Sequence, residues 1–226
     1  MKLSIIIPVF NEASTIKQII TKVKTQPLKS VIKEIIVIDD ASSDGTTKIL
    51  RSLSGITKVF QKTNQGKGAA IRAGIKKAQG EYILIQDADL EYDPADIPLL
   101  LEPVLTKKAV IVYGSRFLGP HKNMLFWHML GNNLLTLLTN LFYDTTLSDM
   151  EVGYKLFPKK LYQSLNLIEN RFGFEPEITS KILKQGLRIY EVPISYTGRE
   201  FHEGKKITWR DGIVAFFLLL KYRLVD

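Results

Sequence analysis

Apolar residues recur in the first half of the chain in two alternating rhythms. Residues 3–9 are apolar except for Ser4, the pattern of a strand buried on both faces. Ile16, Ile19, Ile20 and Val23 follow at helical spacing until Gln26-Pro27 stops the helix. The same exchange repeats. Strands are predicted at 34–38, 58–61 and 82–86, with a helix at about 46–53 and another ending near 78. Short β-branched runs separated by helices imply crossover units and a mostly parallel sheet covered on both faces.

The second half changes character. Residues 110–115 read as a strand, 175–184 as a helix and 188–192 as a strand. Residues 124–143 read as one or two helices with a divided surface. Leu130, Leu134, Leu137, Leu138, Leu141 and Phe142 share one face; His128, Asn132, Thr136 and Asn140 share the other. Residues 213–220 are apolar nearly all round, with Arg210, Lys221 and Arg223 at the ends.

Composition narrows the class. A chain of 226 residues with 45% apolar and 24% charged residues can bury a full core, and one domain spanning 1–226 is expected. Cysteine is absent, which removes a disulfide framework, thiol catalysis and cysteine-based zinc sites. The three histidines have no metal-ligand spacing. No apolar run approaches the ~20 residues of a spanning helix, and Pro8 and Asn11-Glu12 interrupt the first run too early for a secretory signal. A net charge of +8 suits nucleic acid or an anionic surface. No nucleic-acid motif appears, so nucleic acid is the weaker partner.

Candidate chemistry gathers at strand ends. In an extended segment Asp87, Asp89 and Glu91 face one side. Three converging carboxylates raise one another's pKa, and a hard divalent cation relieves that; a solvated turn is the plain alternative. Asp40, after the second strand, can accept a ring N–H of uracil or guanine, while 39–45 also has the composition of a self-bonded Asx-turn. Asn64-Gln65-Gly66-Lys67-Gly68 lacks the P-loop pattern but opens a helix, whose N-terminus favours anions; a plain turn is the equal alternative. Asn11 has the chemistry of a helix cap.

Taken in order, Pro8-Val9-Phe10-Asn11-Glu12, the Ile38–Thr46 segment, Asn64–Gly68 and Gln86-Asp87-Ala88-Asp89 resemble the inverting glycosyltransferases of family 2, which have a GT-A fold. Asp87–Glu91, Gly114-Ser115-Arg116-Phe117, Asp149-Met150 with Gly153-Tyr154-Lys155, Phe172-Gly173-Phe174-Glu175 and Glu191-Val192-Pro193-Ile194 are similar to dolichyl-phosphate mannosyltransferase and related polyprenyl-phosphate glycosyltransferases. The resemblance implies an α/β GT-A fold: a mixed, mostly parallel nucleotide-binding sheet flanked by helices. It implies donor contacts at Pro8, Phe10, Glu12, Ile38, Asp40, Asp87, Ala88 and Asp89. It further implies a Mg²⁺ or Mn²⁺ site at Asp87, Asp89 and Glu91, and phosphate contacts at Arg116, Arg199 and Lys205. The Gln-x-x-Arg-Trp signature of processive synthases is absent.

The expected activity is transfer of one sugar from a nucleotide-sugar to a polyprenyl phosphate, with inversion, at the cytoplasmic face of a membrane. Arg199, Lys205, Lys206 and Arg210 form a basic cluster within the 200–226 region and its edge, beside the two apolar helical segments. Such segments suit a membrane interface, with Trp127 and Trp209 at headgroup level, although core packing or a homo-oligomer contact explains isolated cases. A family 2 enzyme acting on a hydroxyl would need a base, for which Asp149 or Glu151 is the candidate. A non-catalytic nucleotide-sugar or membrane-binding module is the remaining alternative.

Overall fold

β1 (Lys2–Val9) is buried from Leu3 onwards because β2 (Ile32–Asp39) lies on one side of it and the Tyr82–Ile85 strand on the other, both parallel to it. Between β1 and β2, α1 (Ile16–Thr25) buries the stripe Ile16, Ile19, Ile20 and Val23. α2 (Thr46–Ser52) leads to the edge strand β3 (Thr57–Phe60), and α3 (Lys67–Lys77) packs across β1 and β2 before β4 (Tyr82–Ile85). This computed structural model describes residues 1–199 and 209–225. Lys205 and Lys206 of the predicted basic cluster, and the side chain of Trp209, lie outside the described residues.

The rest of the sheet comes from the second half: α4 (Ile97–Leu105), β5 (Val112–Ser115), β6 (His121–Lys122), α5 (Phe126–Tyr143), β7 (Lys155–Pro158), α6 (Lys159–Leu165), α7 (Phe174–Lys184), β8 (Tyr190–Pro193), β9 (Tyr196–Thr197) and α8 (Trp209–Leu224). The seven strands run β3-β2-β1-β4-β7-β5-β8, and β7 is antiparallel to both neighbours. The expected mixed, mostly parallel sheet is therefore what forms. β6 and β9 make a separate two-stranded pair.

α4, β7 and α6 escape the pattern, as do the two-residue strands β6 and β9. α4 contains Pro98 and Pro103, which read as breakers. Pro98 sits in the first turn, where its missing N–H is not needed. β7 is four residues long and wholly buried, with a lysine at its first position, so it carries no alternation; α6 follows it directly.

α5 faces the opposite way from an ordinary amphipathic helix. Its buried residues are Leu135, Thr136 and Thr139, while Trp127, Leu130, Leu134, Leu137 and Leu141 are exposed, Trp127 to 77%. The polar residues turn inward because they have bonds to make. Thr136 Oγ1 accepts the Met150 N–H (3.2 Å), and the Asn140 amide clamps both the N–H and the carbonyl of Leu147 at 2.8 Å. α8 packs on α5 and α7 through Ala215, Leu218, Leu219 and Tyr222, leaving Ile213, Val214 and Phe217 exposed. Among the described residues no helix is long and apolar enough to cross a membrane.

Candidate active site

The carboxyl ends of β1, β2 and β4 open into one cleft of about 820 Å³. It lies where the strand order reverses between β1 and β4, the place where open α/β sheets take ligands. The volume is ordinary for a small-molecule site. Pro8, Phe10 and Glu12 line it from the end of β1, and Asp87, Ala88, Asp89 and Glu91 from the end of β4. Asp40, Arg116 and Arg199 also reach it. Ile38 does not: it is fully buried in the main core, so its expected donor contact is not made by its side chain.

Several polar residues hold the loops together. Asn11, at φ 52°, accepts the Ser43 N–H (2.8 Å) through its side chain, and α1 begins without a side-chain cap. The capping expectation for Asn11 is thus replaced by a bridge between two loops. Asp39 accepts the Ser42 N–H and the Thr47 hydroxyl, the self-bonded turn foreseen for this segment. Both Asp40 oxygens accept main-chain N–H groups, from Gln65 (2.8 Å) and Gly66 (2.7 Å), which ties the glycine-rich turn to the end of β2.

That turn cradles protein. A Cβ on Gly68 would run into the Glu169 carbonyl, and the Ala69 N–H donates to the Asn170 carbonyl (3.0 Å). The glycines thus permit close approach of the 169–171 backbone, while Asn64, Gly66 and Lys67 of the same segment line the cleft. Lys67 is the chemically active member of the segment. Its ammonium bridges Asp87 (2.8 Å) and Glu175 (2.9 Å), linking the starts of α3 and α7 to the end of β4. Burial alone would lower its pKa, but the two carboxylates hold it well above the ordinary value. Behind Asp87, Gly153 leaves no room for a side chain, because a Cβ would meet the Asp87 carboxylate.

β4 ends at Ile85, and Leu90 adopts φ 65°, so the acidic segment is a turn and not an extended strand. The turn still delivers all three carboxylates to the cleft. Asp89 Oδ1 accepts the Glu91 N–H (3.1 Å), and burial, Asp87 and Glu91 push its carboxyl up to about 7. Arg199 supplies the counter-charge, with bonds to both Glu12 oxygens (3.0 and 3.2 Å) and to Asp89 (3.3 Å). Glu91 accepts the Arg199 N–H (3.0 Å) and the Tyr196 hydroxyl (3.2 Å), fastening the β9 end over the cleft. Among the described residues no three acidic or imidazole groups close on a common point as a ready metal cage.

Arg116 and Asp149 form a bidentate pair, Nε–Oδ2 2.7 Å and Nη2–Oδ1 2.6 Å, with Asp149 wholly buried. Asp149 is therefore occupied as a counter-ion and is not available as a base. Glu151 differs. It lines the cleft, one of its buried oxygens has no hydrogen-bond donor, and burial together with Glu175 raises its carboxyl to about 8. Lys155 lies beneath, bonded to the Met150 and Val152 carbonyls and over the Tyr113 ring, and burial lowers it to about 8. Lys67 and Glu175 are site residues that the sequence does not single out, although each belongs to a segment that carries the family resemblance. Their ion pair joins three elements distant in sequence, which spacing does not reveal.

Residues 4–165 match the profile described as Glycosyl transferase family 2. The hexosyltransferase Agl6 of low-salt glycan biosynthesis in Haloferax volcanii is 31% identical over 201 residues, 88% of this chain and 48% of that protein. This chain thus spans about half the length of Agl6. UDP-N-acetylglucosamine–dolichyl-phosphate N-acetylglucosaminyltransferase of Methanococcus voltae is 27% identical over 97% of this chain and 95% of its own length. The crystal structure of Mycobacterium tuberculosis glucosyl-3-phosphoglycerate synthase with Mn²⁺, UDP and phosphoglyceric acid superimposes with a TM-score of 0.77. The match covers 100% of this chain and 79% of that one at 19% identity. The sheet order and this likeness identify the fold as GT-A.

Proposed function

We propose that this chain, which belongs to glycosyl transferase family 2, moves a single sugar from a nucleotide-sugar, GDP-mannose or a UDP-hexose, to a polyprenyl or dolichyl phosphate. The carrying observation is the outward leucine face of α5, beside the exposed face of α8, at the mouth of a cleft with an acidic floor. Trp127, Leu134 and Ile213 belong both to those exposed faces and to the cleft lining. A lipid tail held by such a surface would bring its phosphate to the carboxylates without leaving the membrane interface. The Methanococcus relative, named for a nucleotide-sugar donor and a lipid phosphate acceptor, supports the same pairing.

Mg²⁺ or Mn²⁺ fits the residues present. Asp87, Asp89 and Glu91 offer only hard carboxylate oxygens, and burial with the charges of Asp87 and Glu91 holds the Asp89 proton up to about 7 in spite of Arg199 beside it. These three residues would hold the ion, which when bound stabilises the charge growing on the departing diphosphate. The chain's own residues do the rest. Arg199 donates charge-assisted hydrogen bonds to phosphate oxygens. Lys67 neutralises Asp87 and keeps it facing the cleft. The acceptor is already an anion, so attack on the anomeric carbon requires positioning more than a base, and in-line displacement inverts the centre.

Glu151 favours a second reading, in which the acceptor is a hydroxyl and Glu151 takes its proton. One assay separates the two. Purified protein is given polyprenyl phosphate, Mn²⁺ and a panel of radiolabelled GDP- and UDP-sugars. Label from one donor is expected in the organic phase, lost with EDTA and reduced only modestly by Glu151→Gln. Hydrolysis of a donor with no labelled lipid would overturn the phosphate acceptor. Hydroxyl transfer abolished by Glu151→Gln would establish the second reading.

A pH dependence follows from Asp89. The proton it holds up to about 7 competes with the metal. Mn²⁺ affinity is expected to rise about tenfold per pH unit below 7 and to level off above 8, with one proton released per ion bound at pH 6. Calorimetry in buffers of different ionisation enthalpy measures that release. Affinity independent of pH between 6 and 8 would contradict the assignment.

A further inference from the structure

The 166–173 segment is the wall against which the glycine-rich turn is built, and α8 holds that wall in place. Glu177 of α7 accepts the N–H groups of Ile168 and Glu169, each at 2.8 Å, and Lys181 joins the Asn166 carbonyl to Glu177. On the outer side, Arg72 of α3 donates to the Glu169 carbonyl and the Asn170 side chain. Gly66 and Gly68 then meet Asn170 and Glu169 with no room for a Cβ. Arg171 and Phe172, from the same segment, line the cleft.

Tyr222, near the far end of α8, closes this assembly. It is 1% exposed, and its single phenolic proton is shared between Glu169 Oε1 (2.7 Å) and Glu177 Oε1 (3.1 Å). Burial and the two carboxylates hold the phenol far above its ordinary pKa, so it stays a donor at any working pH. Lys221 adds a contact to Glu169 (3.2 Å), and Leu218 of α8 packs against Gly173 so closely that a Cβ there would touch it. The line of contact runs from Tyr222 to Glu169, to Asn170, to the Gly66–Gly68 turn and, through the Gln65 and Gly66 N–H groups, to Asp40.

We infer that Tyr222 is a positioning residue for the donor-nucleotide pocket, acting from α8 through the 166–173 segment upon the turn that Asp40 anchors. The inference rests on the donor reading given above. Its physical content is a coupling free energy. α8 docked through the phenol presents the pocket wall in one position; α8 without that bond leaves the wall to several, and a nucleotide must then supply the ordering. Tyr143 of α5 provides the internal comparison, because its hydroxyl reaches α8 at the Leu219 carbonyl (3.5 Å), whereas Tyr222 donates to Glu169 and Glu177.

The test is isothermal titration of UDP and of GDP, each with MnCl₂, into the folded full chain. Tyr222→Phe is expected to weaken nucleotide binding about fivefold, the low end of ordinary site-to-site coupling. Glu169→Ala should reproduce the loss, Glu169→Gln, which keeps an acceptor oxygen for the phenol, should restore most of it, and Tyr143→Phe should leave binding unchanged. In turnover assays the donor KM rises while kcat holds. Wild-type affinity in folded Tyr222→Phe and Glu169→Ala overturns the inference, as does an equal loss in Tyr143→Phe. If the wild-type chain binds neither nucleotide, the donor reading itself falls and takes this inference with it.

Discussion

Asp89→Ala is expected to reduce sugar transfer by about a thousandfold, the scale of losing a main electrostatic element of an active site, without weakening the fold. Asp89 lies between Asp87 and Glu91, and its carboxyl is pushed up to about 7 by burial and by those two neighbours. A carboxyl whose folded pKa exceeds its unfolded value keeps its proton on folding at low pH. Its contribution to stability therefore shrinks as pH rises from about 4 to 7, and above 7 the ionised group is a net cost. Removing it should leave the melting temperature at pH 5 nearly unchanged and hold or raise it at pH 8, with the lost contact to Arg199 working the other way. Transfer rates and melts at both pH values measure the two effects together. A variant that turns over within tenfold of wild type, or that loses activity only in step with unfolding, would remove Asp89 from the centre of the site.

The parts of the molecule legible in the sequence are those governed by local rules. β1, α1, β2 and α3 announce themselves by period, and the strand ends that carry Pro8, Asp40 and Asp87 follow from them, so the cleft could be located before its contents were known. Contents were harder. The sequence offers Asp40 either a base contact or a self-bonded turn; its oxygens hold the Gln65–Gly66 backbone while the residue lines the cleft. The Asn64–Gly68 segment suits an anion or a plain turn, and Gly68 faces the Glu169 carbonyl. In each case the residue type was right for a close polar approach, and the partner was set by tertiary folding. α5 shows the limit most plainly. Spacing puts Leu130, Leu134, Leu137 and Leu141 on one face, as they are, but it puts Leu138 and Phe142 with them, and these two pack inward against Leu135, Met150, Ala215 and Leu219. Thr136, Thr139 and Asn140 occupy the inner side because their hydrogen-bonding partners lie within about a dozen residues or on their own helix, and the exposed leucines are left for another surface.

Asp149→Ala is expected to cost the fold far more than any substitution on the cleft floor. The wholly buried carboxylate receives three donors, the Arg116 N–H (3.0 Å), Nε and Nη2, while the Asp149 N–H donates to Glu191 (3.0 Å), which also takes the Ser148 N–H and hydroxyl. The Glu191 bonds fix the turn that presents it. Asp149 also holds the Arg116 guanidinium, against the lowering that burial would impose, well above its usual value. Taking away one member of such a buried pair leaves the other charged and unpaired, a loss of about 3–5 kcal/mol. Arg116 lies over the Tyr196 ring (5.5 Å), and Tyr196 donates to Glu91, so the damage should spread to the acidic segment as well. Denaturant unfolding should therefore show the stability loss, and transfer should fall with the folded fraction at each temperature. If Asp149→Ala instead kept wild-type stability and lost only turnover, Asp149 would be acting on substrate and its pairing with Arg116 would be incidental. The double variant Asp149→Leu with Arg116→Met removes both charges and should recover much of the stability, which neither single change can do.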